Sequence, residues 1–262
     1  MKLGGSVITV KEKIMAPNLK AIRRLAGEVR DARVKPLIIV HGGGGFGHPV
    51  AKQYGIKGGY KDPSQVMGFS RTHQAMLTLN KLVVDALIDR EIPAVAVQPS
   101  SVIITKLGRI HVMEERPLTK LLEMGFVPVL YGDAVLDSDM GFSILSGDQL
   151  VASLAIRLNA NHIIIGVDVD GLYTADPRID PSARLIPHIT LPELRGLQHK
   201  IEEARLTDVT GGMLGKVLEL IMAVEWGIPA TIVNATKAGN VYKALKRERV
   251  TGTMIERGGG IA

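Results

Sequence analysis

The sequence predicts an α/β fold, an open and mainly parallel sheet with helices on both faces. Three observations carry this reading. Short continuous apolar runs stop at a glycine or a polar turn, as strands buried on both faces do. Segments with helical spacing separate those runs. Two hairpin-like stretches then interrupt the alternation. In chain order, residues 17–31 open with a proline that suits a first helical turn, and residues 37–40 form a strand. Residues 65–90 read as a long helix whose apolar stripe includes Phe69, Met76, Leu77, Val83 and Leu87, with His73 and Asn80 on the same face. A strand follows at 94–97. A hairpin pairs 102–106 with 109–112 about Leu107-Gly108, and another strand lies at 127–131. The second hairpin pairs 134–136 with 142–145 across Asp137–Gly141. Helices at 148–158 and 213–225 and strands at 162–167 and 230–233 complete the pattern.

Composition narrows the function classes. Apolar residues make up 46% of the 262, enough for a large core, and 29 glycines with 4% aromatics suit a sheet with many tight turns. There are no cysteines, which excludes disulfides, thiolate zinc sites and cysteine nucleophiles. The formal charge is +6, but the basic residues are spread among 26 acids and only residues 243–249 are locally basic. That is no nucleic-acid stripe. Anionic small substrates account for the excess equally well. No run approaches the roughly 18 apolar residues of a membrane span. The first motif leaves no room for a signal peptide, so a cytoplasmic protein with no membrane partner is expected.

Chemistry concentrates in glycine loops that follow or abut strands, at the carboxyl ends where open α/β sheets place ligands. They are Lys2-Leu3-Gly4-Gly5-Ser6, His41-Gly42-Gly43-Gly44-Gly45-Phe46-Gly47-His48, and Asp208-Val209-Thr210-Gly211-Gly212-Met213 with Lys216. Glycine lets backbone N–H groups close on an anion, and a lysine at the mouth supplies charge. Gly42-x-Gly44-x-x-Gly47 satisfies the dinucleotide fingerprint only formally, because no second strand ending in an acid follows about 20 residues on. The run Gly211 to Lys216 is one residue short of a P-loop and lacks its Ser/Thr. Several phosphates held at once point to a kinase.

These loops, together with Gly132-Asp133, Ser146-Gly147-Asp148 and residues 168–173, occur in an order that resembles the amino acid kinase superfamily, with its three-layer fold. Within it, Gly45-Phe46-Gly47-His48-Pro49-Val50-Ala51-Lys52 and Gln98-Pro99-Ser100-Ser101 resemble the isopentenyl phosphate kinases. The resemblance implies an ATP- and Mg²⁺-dependent transfer to isopentenyl phosphate by a homodimer. An N-terminal lobe, 1–155, would bind the acceptor, and a C-terminal lobe, 156–262, the nucleotide. The family has a few more residues ahead of its first lysine, so the opening strand is expected to be short here. Other readings are a fosfomycin kinase-like or acetylglutamate-type kinase, and a non-catalytic nucleotide-binding protein on the same fold.

The resemblance also assigns roles. Lys2 would sit on the transferring phosphoryl group, with Lys11 beside it, although Lys13 is an equally flexible neighbour. Lys216 would grip the nucleotide phosphates and Asp148 would orient the lysines. His48 would donate to the acceptor's phosphate, with N–H groups of Gly43, Gly44, Gly45 and Gly147 completing the cradle. Met67, His73, Met76, Leu77 and Ile144 are candidates for the slot of the isoprenyl tail, with Phe69 and Tyr60 near its rim. His41, at a strand end, reads as a core or turn histidine. Gly4, Gly5, Ser6, Gly44 and Gly212 would meet nucleotide phosphates, while Asp168, Asp170, Gly171, Tyr173, Asp176 and Pro177 match the adenosine loop. No protein ligand to Mg²⁺ can be named. A phosphate monoester has its second pKa near 6, so the attacking oxygen is anionic at pH 7 and needs no general base. What it needs is cationic cover. One ammonium about 4 Å from a phosphate oxygen contributes roughly 4 kcal/mol at an effective dielectric of about 20.

Overall fold

Strand β1 is two buried residues, Lys2–Leu3, and leads through Gly4 into the single turn of α1 (Gly5–Ile8). The computed structural model describes residues 1–10, 13–203 and 213–258, and the chain divides into two units, Met1–Val151 and Ala152–Ala262. The division falls inside helix α7 (Gly147–Arg157).

In the first unit α2 (Leu19–Ala32) is capped by the Asn18 side chain, which accepts from Ala21 N at 3.1 Å. Sequence spacing placed Pro17 in that first turn. Asn18 takes the cap because its carbonyl oxygen satisfies an orphan N–H. Pro17 instead lies in a bridge with Thr9. After β2 (Ile39–His41) the glycine run becomes helix α3 (Gly44–Gln53), despite the poor helix propensity of glycine. A 3₁₀ turn (Ile56–Gly58) precedes the 25-residue α4 (Ser64–Ile88). Next come β3 (Ala94–Ala96), α5 (Pro99–Val102), β4 (Ile103–Lys106), β5 (Arg109–Met113) and α6 (Arg116–Glu123). Strands β6 (Val127–Tyr131), β7 (Asp133–Asp137) and β8 (Gly141–Leu145) lead into α7.

Strands β1, β2, β6 and β3 pair parallel in that order, so their carboxyl ends share one edge. Ile39, Val129 and Leu130 are fully buried in this sheet, and Ile39 packs near Ile22, Leu25 and Val29 of α2 and Val83 of α4. Each such side chain contributes about 1.5–3 kcal/mol by leaving water. The two hairpins join each other: β4 pairs parallel with β7, giving a second sheet in the order β5-β4-β7-β8. Asp137 stitches them, accepting from Leu107 N and Gly108 N of one hairpin and from Asp139 N and Met140 N of its own, at 2.8–3.2 Å.

In the second unit β9 (Ile163–Val167) is followed by β10 (His188–Thr190), α8 (Leu191–Glu203), α9 (Met213–Leu218) and α10 (Ile221–Glu225). The single helix expected over 213–225 is thus two, separated at 219–220. Strand β11 (Ala230–Asn234), helix α11 (Asn240–Lys246) and β12 (Gly252–Glu256) close the chain. Strand β11 runs parallel to β9 and antiparallel to β12, which pairs parallel with β10.

Candidate active site

The Lys2 ammonium lies 2.6 Å from Asp148 Oδ1, the lysine buried and the aspartate half-buried. A buried ammonium needs a partner, and Asp148, in the first turn of α7, is itself favoured by the positive helix start. Gly147 lets α7 begin hard against this pair: a Cβ there would stand 3.2 Å from His41 O and 3.5 Å from Lys2 Cε. The carboxyl ends of β1 and β2 therefore meet the start of α7.

The two N-terminal glycine loops touch backbone to backbone. A Cβ on Gly5 would meet Gly44 Cα at 2.6 Å, and Gly44 has φ +47°, where any side chain is strained. Thr9 Oγ1 bolts them together, donating to Gly5 O at 2.8 Å and accepting from Gly45 N at 3.1 Å. This revises the cradle, because the Gly45 N–H is given to Thr9 rather than turned toward a ligand. Pro49, inside α3, has no N–H for the Gly45 carbonyl. That carbonyl accepts from Met15 N at 3.0 Å, which ties the segment around Met15 to the loop. The start of α3 at Gly43–Gly44 keeps the orphan N–H groups and positive end that favour an anion. His48 is exposed one turn in, and Ser6 is exposed beside Gly5 and the buried Gly4.

Behind α3 lies an apolar cluster of Ala51, Ile56 and Phe142, flanked by Tyr54, Phe69 and Ile144. Phe142 packs on Phe69 and Tyr60 at centroid distances of 5.6 and 5.7 Å. Phe142 was not singled out from sequence, although strand periodicity puts it on the same face as Ile144. Of the other slot candidates, Met67 is exposed and Leu77 half-buried. Met76 is fully buried as a wedge under the glycine loop, its sulfur 3.1 Å from where a Gly43 Cβ would lie. It supports the loop rather than opening onto a slot.

His73 is engaged by an acid: its Nδ1 lies 2.9 Å from Oδ2 and 3.0 Å from Oδ1 of Asp133. The bond to Asp133 raises the imidazole pKa against the opposing effect of burial, and Gln98 adds to the rise. Burial pushes the Asp133 carboxyl up, while His73, the Ala134 N–H and Ser100 pull it down. His41 is a core histidine, held by Gly42 O and Asn80, stacked on Tyr131 and pushed by burial down to about 4.

In the second unit the loop after β9 carries Asp168, Asp170 and Gly171. Asp170 bonds Lys237 Nζ at 2.7 Å and Asn234 Nδ2 at 3.0 Å, and Lys237 holds its carboxyl below the usual range. Asn234 also accepts from Thr236 N and Oγ1. The turn after β11 thus belongs with the expected nucleotide loop. The signal was its position at a strand's carboxyl end. Gly171 fits where a Cβ would stand 2.9 Å from Leu185 Cδ1, and Leu172 N bonds Thr253 Oγ1. Tyr173 is half-buried in a bridge with Leu185, and Pro177 is exposed. Asp176 is buried and paired with Arg178 at 2.7 Å, a loop-fixing bond rather than an open ligand position. Lys216 is half-buried on α9. Lys11 and Gly212 lie outside the described residues. Among the described residues no three His, Asp or Glu gather as a metal site.

Comparison with known proteins agrees with this geometry. The model of the amino acid kinase family matches residues 1–234. An isopentenyl phosphate kinase of Methanothermobacter thermautotrophicus is 43% identical over 97% of both chains. A solved isopentenyl phosphate kinase superposes with a TM-score of 0.85 at 40% identity, covering 97% of this chain and 98% of that one. A substrate complex of an isopentenyl phosphate kinase gives 0.79 at 29% identity over the same shares. The chain belongs to the amino acid kinase family and, within it, to the isopentenyl phosphate kinases.

Proposed function

We propose that the chain transfers the γ-phosphoryl group of ATP to isopentenyl phosphate, giving isopentenyl diphosphate and ADP. The observation that carries this is the buried Lys2 paired with Asp148 and set against the glycine loop. It is a fixed cation beside an anion-binding helix start, in a chain whose relatives are named for this reaction. An acceptor phosphate oxygen forms the new P–O bond, and the bond from the γ-phosphorus to the ADP oxygen breaks. Both partners are anionic, so the protein's task is positioning and charge neutralisation. Lys2 covers the transferring group, Asp148 fixes it, and His48 with the first amides of α3 and Gly147 grips the acceptor's phosphate. Lys11 joins Lys2. The tail rests on the Phe69, Phe142 and Ile144 cluster.

In the second unit Lys216 covers nucleotide phosphates, and the Asp168–Asp170 loop with Asn234 and Lys237 holds the adenosine. The donor set suits an Mg²⁺ ion carried mainly by phosphates and water, as is usual for that ion. When bound, it neutralises phosphate charge. The family resemblance further suggests a homodimer, which sedimentation would check. No described helix is long and apolar enough to cross a membrane. The test is an acceptor screen. ADP release with isopentenyl phosphate should far exceed that with fosfomycin, acetylglutamate or UMP, and comparable rates with any of these would remove the substrate assignment.

A further inference from the structure

Residues Gln98 and Ser100 come from a segment that no phosphate role absorbs, yet they meet His73 and Asp133. His73 Nδ1 donates to the buried Asp133, and Gln98 Nε2 donates to Ser100 Oγ at 2.9 Å. Ser100 also bonds Asp133, and Gln98 also bonds His73. With the Gln98 nitrogen on Ser100, the Gln98 oxygen turned to the imidazole accepts from Nε2–H. The four side chains close a ring: His73 to Asp133, Ser100 to Asp133, Gln98 to Ser100 and His73 to Gln98. Closed in this sense, the ring needs both imidazole nitrogens protonated.

Its place is a joint. One turn along α4 from His73, Met76 wedges under Gly43 and Gly47, next to His48. One residue before Asp133, Gly132 donates its N–H to His41 O at 3.0 Å, and a Cβ on it would stand 3.2 Å from Gly147 N. The ring therefore sits between the two halves of the anion cradle. We propose that His73, Asp133, Ser100 and Gln98 form a positioning ring, closed by an imidazolium, that sets the spacing between the α3 glycine loop and the Gly147–Asp148–Lys2 side of the acceptor-phosphate site. The proposal rests on the kinase reading above. None of the four residues is a catalytic residue, since all act through the loops they hold.

The other elements packed on α4 do not compete for this proton. Strand β3 has no ionisable residue, and α2 presents Ile22, Leu25 and Val29. Tyr131 on β6 is pushed well above its usual range by burial, with Asp133 adding to the rise, and His41 on β2 is pushed down to about 4. His48 on α3 is exposed.

The experiment compares the full-length enzyme with Asp133→Asn and with the doubly neutral His73→Asn/Asp133→Asn. Losing the charge-assisted bond should raise the acceptor KM about tenfold or more and leave the KM for ATP within about twofold. In the wild type kcat/KM for the acceptor should fall above the pKa of His73. Asp133→Asn should move that fall to lower pH, and the double variant should abolish it. Nitrogen-15 NMR of the wild-type histidines supplies a readout independent of activity and of variant folding. His73 should show two protonated ring nitrogens at pH 6.5. A neutral His73 at pH 6.5 would overturn the ring. So would equal rises in both KM values, or an unmoved alkaline limb in a folded Asp133→Asn. A wild type inactive on isopentenyl phosphate would instead sink the kinase reading while leaving the NMR test intact.

Discussion

Lys2 shows how much one side chain depends on its surroundings. An exposed lysine contributes little to phosphate binding beyond its charge. Here the chain holds Lys2 nearly water-free against Asp148, so in the proposed mechanism no reorganisation is needed when charge develops. Removing such a donor typically slows chemistry by about 10²-fold or more. Lys2→Ala and Lys216→Ala should each lose at least that in turnover, and near-normal turnover in both would refute the mechanism. His48 should behave differently, because in the proposed mechanism it reads the acceptor. His48→Ala should raise the KM for isopentenyl phosphate about tenfold while sparing ATP, as steady-state kinetics with each substrate varied will report. Unchanged acceptor kinetics would remove it from the site.

At the scale of elements, the two hairpins illustrate a bond that only tertiary structure creates. Burial alone would raise the Asp137 pKa, but hydrogen bonds from Gly108, Met140, Thr105 and Asp139 outweigh it and hold the carboxyl far below its usual value. Replacing Asp137 with alanine strands these donors and should cost about 1–3 kcal/mol, measured by chemical denaturation. The sign with pH follows from a depressed folded pKa. The contribution is full above the unfolded value of about 4 and fades as pH falls towards the folded one. The stability gap between wild type and Asp137→Ala should therefore narrow below about pH 4, and a gap constant down to pH 2 would refute this origin.

Across the whole molecule, what could be read in advance follows physical range. Runs such as Val127–Tyr131 announce a buried strand because every residue is apolar, and helix α4 announces itself by spacing. Strands β10 and β12, the conversion of the glycine loop into α3, and the joining of the hairpins were not legible, since each depends on partners distant in sequence. The same split governs the site. Lys2, Asp148 and the glycines carry their chemistry in local motifs. Thr9, Gln98, Asp133, Phe142 and Lys237 acquire roles only through contacts. Because Lys237 and Asp170 pair within the second unit, Lys237→Ala should raise the KM for ATP several-fold and leave the acceptor KM unchanged. A parallel rise in both would argue against separate substrate duties for the two units.

The Lys2–Asp148 bond joins residues 146 apart in sequence, and that separation has a kinetic consequence. Long loops close late, after local helices and neighbouring strands have formed. During refolding from denaturant, helical circular dichroism should recover first and phosphoryl transfer should lag behind it. If activity returned in step with the earliest dichroism, the amino-terminal strand would have to dock before the chain that follows it had folded.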